Sequence, residues 1–543
     1  MPKLFVFAIG GTGERVMRSL TMMLAAGVNA FNKYEVYPII IDYDEKNADK
    51  DRTVELLRNY AAVHNAAFDR QGWVGEDKVK TEQFFSAKLR QLPGLDNYVF
   101  PYKPEDGKKQ FKEHIGFEDL SGENIMTKEL LASLYDTSDR PDTELNLDMT
   151  VGFKGNPNIG SVVFNKIAES LEFRAFKSAF QPATDRVVVI GSIFGGTGAS
   201  GIPEIVKAIH AMNKGAKVAA LLVLPYFAPA ETRGGAIQAS RFNAKSKAAL
   251  TYYKSSGLMD MITDIYCVGD PIPTVMPYSE GGITQMNNAN IVEFIAAAMI
   301  EHFCTRADSD TKNEFKFSLD ADIWEDEDAV ERSAKRLFIE DFDTYSKENI
   351  MSAFIEFSLA LKLFHEQIQT KKAKVKDFWN LLDMDEAAGF DKESENRKNR
   401  LRDYCVALDS FYAKYVDWLK ELDFEGDGDA KPANSHRLAL TNLSNRYSDI
   451  IVKPANDGDE EEAGGFVKFG KAVSSVFSSG KEPVTDDTMV TSLNVEIKDK
   501  GDTGHYDTKK NAIRVGHHPE FVFADILHKA AVTAREDLLK TKR

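Results

Sequence analysis

Cysteine is nearly absent: Cys267, Cys304 and Cys405 are the three in a chain of 543 residues. They share no C-x-x-C spacing, which excludes a disulfide framework or a zinc site and predicts a reducing, cytoplasmic setting. Positive charge is also short. Against 84 acidic side chains stand 68 basic ones, a formal net charge of −16, so the cationic field of a dedicated nucleic-acid binder is missing. Long apolar runs are missing too, and nothing approaches the ~20 residues that span a bilayer. The opening MPKLFVFAIGG meets glycine too soon for a signal segment and reads as a first strand, so no direct membrane insertion is expected.

What is present is a globular composition, 43% hydrophobic and 28% charged, with length enough for two or three domains. Residues 4–9 and the helically spaced run after them predict strand, tight turn, helix, and residues 36–44 a second buried strand ending in acids. Residues 45–147 are charged and read as a mostly helical insertion. The rhythm resumes with RVVVIGSI, a glycine loop and IPEIVKAIHAM. Two more strands follow, around a helix at FNAKSKAALTYYKSSG, and then the apolar helix NIVEFIAAAMIEHF, read as buried at the centre. This alternation predicts an α/β fold with a doubly wound parallel sheet and a ligand at the strand C-terminal ends. The organisation expected is a nucleotide-binding domain over residues 1–305 and a divergent α+β C-terminal domain over 306–543. The latter carries charged helices at 346–371 and 393–422, acidic linkers, some antiparallel strand near 490–515 and a closing helix.

Two glycine loops carry the chemistry. In SIFGGTGASGIPEIV, Gly195, Gly196, Gly198 and Gly201 let backbone amides approach an anion at a helix N-terminus, and Thr197 and Ser200 add hydroxyl donors. No lysine follows, so this is not a Walker A loop. The bland alternative is a tight strand–helix turn. Gly10, Gly11, Thr12 and Gly13 form a second such loop, but Val16 occupies the third glycine of a Rossmann fingerprint. Asp42 and Asp44 end the second strand, as ribose-binding acids or as solvated turn residues.

Taken in order, these loops resemble those of FtsZ in the tubulin/FtsZ superfamily. The stretch to Gly201 is similar to the family's GGGTGTG/GGGTGSG signature, with Phe194 in place of the first glycine. KGNPNIGSVVFNKIAES resembles a loop of the form GANPxxGRxAAxE at Gly155, Asn156, Pro157, Gly160, Ala168 and Glu169, with Ser161 replacing the arginine. IDYDEKNA resembles the NTDAQAL loop, which implies Asp44 near the phosphates and magnesium, with Asp42 at an asparagine position. PYFAPAETR resembles PFxFEGxxR and implies Glu231 as a ribose contact, with Arg233 near the family's arginine. MNNANIVEFIAAAM resembles the start of the central helix and implies that Asn290 contacts the guanine edge. Read without the resemblance, Asn290 is a helix N-cap. Asp320, Asp322 and Glu325 reproduce the N-x-D-x-x-D spacing of the hydrolytic loop, whose acids position the attacking water in a neighbouring subunit's site.

The resemblance covers residues 3–303. It implies GTP or GDP with Mg²⁺, hydrolysis at a subunit interface, and head-to-tail self-association into filaments. A second reading is a nucleotide-binding assembly protein that does not hydrolyse, contacting other proteins through the insertion and the C-terminal domain. A third, a Rossmann oxidoreductase, is opposed by Val16 and by the second phosphate loop. His517, His518, Glu520 and His528 fit no metal-ligand spacing and read as surface histidines, and Trp324 as core or interface.

Overall fold

The computed structural model describes residues 1–44, 46–68, 83–100, 109–138, 143–230, 239–271, 273–277, 282, 286–306, 313–318, 335–337, 342–362, 364–365, 392–426, 433–438, 440, 506–507, 512–513, 523–524, 527–529, 531–532 and 535. Its centre is a seven-stranded sheet of β1 (Lys3–Ile9), β2 (Glu35–Ile41), β3 (Lys88–Leu89), β4 (Arg186–Ser192), β5 (Lys217–Val223), β7 (Asp264–Gly269) and β9 (Asn313–Ser318). Every neighbouring pair is parallel, in the order β3-β2-β1-β4-β5-β7-β9. The order runs outward in both directions from β1 and β4, which makes a doubly wound α/β sheet with its switch point between those strands. A short parallel pair, β6 (Phe227–Pro229) with β8 (Thr274–Met276), stands apart from it.

Both faces of the sheet are covered, so its strands are apolar throughout instead of alternating with polar residues. Along β1, Leu4, Val6 and Ala8 enter one apolar layer, while Phe5, Phe7 and Ile9 enter the other. The first layer holds α1 (Gly10–Ala25), α2 (Ala48–Phe68) and α7 (Ile291–Thr305). The second holds α3 (Pro157–Phe164), α4 (Leu171–Ala179) and α5 (Gly196–Met212), and α6 (Phe242–Ser255) adds Tyr253 to it. The apolar all-round helix α7 is buried along most of its length, as its composition requires.

The later helices α8 (Ser352–Lys362) and α9 (Lys392–Leu422) continue the first layer instead of enclosing a separate one. Trp418 of α9 is fully buried, with ring centroids 6.2 Å from Phe294 of α7 and 5.8 Å from Phe354 of α8. The sheet also takes two strands more than its sequence pattern suggests, β3 inside the stretch read as an insertion and β9 at the opposite edge. In β9 only Phe315 and Phe317 are apolar, and Glu314 and Lys316 face solvent, the composition of a protected edge. Phe315 stacks on Tyr266 with centroids 4.8 Å apart. Further on, Tyr506–Asp507 and Ala512–Ile513 form an antiparallel pair. No helix among the described residues is long and apolar enough to cross a membrane.

Candidate functional site

At the switch point, over the C-terminal ends of β1 and β4, lies a cleft of about 960 Å³, including the solvent in its mouth. Two helices begin there. α1 starts at Gly10, directly after β1, and α5 starts at Gly196 in the turn that follows β4. Neither N-terminus receives a side-chain cap. Their first-turn amides therefore lack intrahelical partners and, with the helix dipoles, favour an anion.

The sequence explains why the backbone comes so close. Gly10 holds a φ of +68°, and the next residues turn straight into α1. A Cβ on Gly198 would lie 2.4 Å from the Ser192 carbonyl oxygen, so only glycine lets α5 start this near β4. The loops also meet each other. A Cβ on Gly10 would sit 3.2 Å from Thr197 Cβ, and one on Gly196 would sit 3.1 Å from the Gly155 amide nitrogen.

Of the residues singled out from sequence, Gly10, Gly11, Thr12, Asp42, Asp44, Gly155, Gly195, Gly196, Thr197 and Gly198 line this one cleft. Others stand behind it. Gly13 lies against β1, where a Cβ would be 2.7 Å from the Ala8 carbonyl carbon. Asn156 and Pro157 begin α3, and Gly160 packs under Ser200. Ser200 is fully buried, and its Oγ donates to the Gly196 carbonyl at 2.7 Å instead of facing the cleft.

Asn290 is likewise fully buried and caps α7. Its Oδ1 accepts from the Val292 amide at 2.9 Å, and its Nδ2 donates to Thr274 Oγ1 at 3.2 Å. That is the N-cap reading, and in this arrangement its amide is spent inside the protein. Glu231, Arg233, Asp320, Asp322 and Glu325 lie outside the described residues.

The acids at the end of β2 lie past the strand, which stops at Ile41. Asp44 accepts from the Lys46 and Gly282 amides, and Asp42 from the Asp44 amide and Asn47 Nδ2. Burial raises the Asp42 carboxyl above its ordinary pKa. Glu14, fully buried behind it, is pushed well above the carboxylate range by burial and then by the charges of Asp42 and Asp49. Among the described residues no three His, Cys, Asp or Glu side chains are grouped to hold a metal ion. Magnesium bound largely by phosphate oxygens and water needs only one or two carboxylates, so Asp44 at the cleft edge fits that role.

Sequence reasoning missed Arg15, Asn47, Lys154 and Asn287, which line the same cleft. Arg15 is buried to 2% exposure. Its Nε donates to Glu293 at 2.6 Å, its Nη1 to Asp49 at 2.8 Å, and its Nη2 to Tyr226 at 2.7 Å and Thr12 at 3.3 Å. Burial opposes that cation, but Tyr226, Glu293 and Asp49 outweigh it and hold its pKa well above the usual value. Asn47 stands inside the IDYDEKNA segment, which was the signal available for it. Lys154 and Asn287 likewise stand inside the KGNPNIG and MNNANIV segments, whereas Arg15 has no local signal for its role, because the acids it meets lie 34 and 278 positions away.

Among solved structures the chain is similar to CetZ from Methanosaeta thermophila strain DSM 6194, at 13% identity and a TM-score of 0.27. The match covers 56% of this chain and spans about half, 52%, of that one. No protein-family model matches the chain, and no curated protein does.

Proposed function

We propose that the chain is a nucleotide-binding protein of tubulin/FtsZ type that takes GTP or GDP with Mg²⁺ in the cleft between β1 and β4. The observation that carries this reading is the meeting of two uncapped helix N-termini and the 152–155 loop in one cleft at the switch point. An extended polyphosphate suits such a site, since each helix end presents ~0.5 of a positive charge together with unpaired amides. The choice of guanine comes from the sequence resemblance; the glycine loops address the phosphates. Asp44 would hold the magnesium, which neutralises phosphate charge when bound. Copies would associate head-to-tail, and Asp320, Asp322 and Glu325 of one copy would orient water at the nucleotide of the next.

The test uses the purified full chain. Titration calorimetry with GTP, GDP, ATP and NAD(P) in the presence of Mg²⁺ is expected to give binding of guanine nucleotides. Phosphate release and sedimentable filaments are expected to depend on protein concentration. Binding of NAD(P) instead, or of no nucleotide, would overturn the reading. Tight GTP binding with neither phosphate release nor assembly would select the non-hydrolysing assembly protein.

A further inference from the structure

We infer that the helix Ile125–Leu134 carries a docking stripe, and that its occupant is residues 466–477 of the same chain.

This helix, IMTKELLASL, has ten residues, and none of them is buried. One side leans on the second apolar layer. Leu131, Ala132 and Tyr135 pack against that layer, with the Tyr135 ring 5.0 Å from buried Phe111. Lys128 completes this side, its ammonium 5.0 Å from the Phe117 ring centroid. The opposite side is apolar as well. Met126, Leu130 and Leu134 recur about one turn apart and are 78%, 58% and 63% exposed, with Ile125 beside them at 47%. A single exposed leucine is ordinary, but a row at i, i+4 and i+8 is one continuous stripe. A helix apolar on two sides is suited to lie between two surfaces, and the described residues supply one.

Charge narrows what supplies the other. From Ile115 to Ser138 the sequence holds five acids, Glu118, Asp119, Glu123, Glu129 and Asp136, against one base, Lys128. All five acids are exposed, and Lys128 already stands 3.5 Å from Glu118. A second copy of this stripe would bring the same acids, and like charges across an interface oppose it. An anionic membrane surface is opposed in the same way. The fitting occupant has apolar residues at helical spacing with basic residues beside them.

The sequence FVKFGKAVSSVFSSGK, residues 466–481, has that composition. Phe466, Phe469, Val473 and Val476 fall three and four apart, and Lys468, Lys471 and Lys481 are the charged residues, with no acid among them. The segment lies outside the described residues. The other lysine-rich stretch, residues 371–376, runs into DFWNLLDMDE, which sets four acids among its apolar residues. Reach is sufficient. Leu440 is buried in the first layer, and the 26 positions from it to Phe466 span up to about 85 Å. That exceeds the ~50 Å across a domain of ~300 residues. The tether also keeps the segment at high effective concentration.

The experiment uses the full-length chain. A carbodiimide, which joins a lysine ammonium to a carboxylate, is applied to a mixture of isotopically light and heavy protein, and the linked peptides are read by mass spectrometry. Lys468 or Lys471 is expected to link to an acid within residues 118–136 of the same chain. Hydrogen exchange then compares wild type with Phe469→Asp and Leu130→Asp. Phe469→Asp is expected to quicken exchange at residues 127–134 about tenfold, and Leu130→Asp to do the same at residues 466–477. Exchange in β4 is expected to stay as in wild type in both, which separates undocking from unfolding. The inference is overturned if the wild type gives no such link, or gives it between light and heavy chains alone. It is overturned equally if neither substitution changes exchange at the other segment. The wild-type link decides without any variant, so a substitution that disturbs β4 leaves the test intact.

Discussion

Arg15 of α1 and Glu293 of α7 meet at 2.6 Å beneath the cleft, with side chains 2% and 1% exposed. Glu293 also accepts from the Asn290 amide at 3.0 Å and from Tyr226 Oη at 2.7 Å. One guanidinium thus joins the first helix after β1, the start of α2 through Asp49, and the start of the central helix. Thr12, which lines the cleft, is part of the same set of contacts. Arg15 thereby links the cleft-lining Thr12 of α1 to the start of α7.

Removing the guanidinium should therefore cost more than a surface ion pair does. Arg15→Met leaves Glu293 buried without its cation and Asp49 with only Arg52 at 3.7 Å, a loss of about 3–5 kcal/mol. Protonation softens it at Glu293, whose carboxyl burial already raises despite Arg15. Urea unfolding measures the change. Arg15→Lys is expected to recover only part, because an ammonium cannot reproduce the planar fork; full recovery would contradict the role given to the fork.

Asn290 separates two roles that its position in the sequence leaves open. As a cap it should cost about 1 kcal/mol on truncation to alanine. With its amide held by Val292 and Thr274, the ratio of GTP to ATP affinity is expected to be the same in Asn290→Ala as in wild type. Thermal unfolding and competition binding read the two effects separately. A changed ratio would mean that the amide leaves its cap to meet the base.

These residues also show what a sequence makes legible. The glycine loops and the strands before them could be read because turn chemistry and apolar runs are local signals, and the doubly wound sheet followed from their alternation. Asn290 was legible as a cap from its place before an apolar helix. The Arg15, Asp49 and Glu293 cluster was not, since an arginine on a buried helix face looks like any other until the chain brings acids to it. β9 escaped because an edge strand needs only one buried row, and its two phenylalanines are too few to signal a strand.

Glu14 supplies a dependence on pH. It is buried with its Oε1 unpartnered and its Oε2 accepting from Asn47 at 3.1 Å. Asp42 and Asp49 raise its pKa further, and Lys50 partly opposes them. A carboxyl whose folded pKa lies above its unfolded one binds its proton more tightly in the folded state. Its contribution is fully present below the unfolded value, near 4.5, and is lost as pH rises through the raised folded value. Glu14→Gln, which mimics the neutral acid, is expected to raise the unfolding midpoint at neutral pH and to flatten the fall above pH ~4.5. A midpoint lowered equally at every pH would show that the ionised form is the one the fold needs.

Glu421, near the end of α9, ties the C-terminal helices to the same region. Its Oε2 accepts from Arg18 Nη2 and from the Ala289 amide, both at 2.8 Å, and its Oε1 accepts from Arg52 Nη2. Asn434 Nδ2 donates to the Glu421 carbonyl at 2.8 Å. The apolar face of α9 is held independently by Phe411, Tyr415 and Trp418, all buried in the first layer. Truncating the carboxylate should therefore loosen the contact to the start of α7 without undocking the helix. Glu421→Ala leaves Arg18, 6% exposed, without its charge partner, and the expected loss is about 1.5–3 kcal/mol, the range for hydrogen bonds to charged groups. Far-UV circular dichroism is expected to stay unchanged, while amide hydrogen exchange quickens at residues 286–290. Protection there equal to wild type would mean that apolar packing alone sets how α9 meets the central helix.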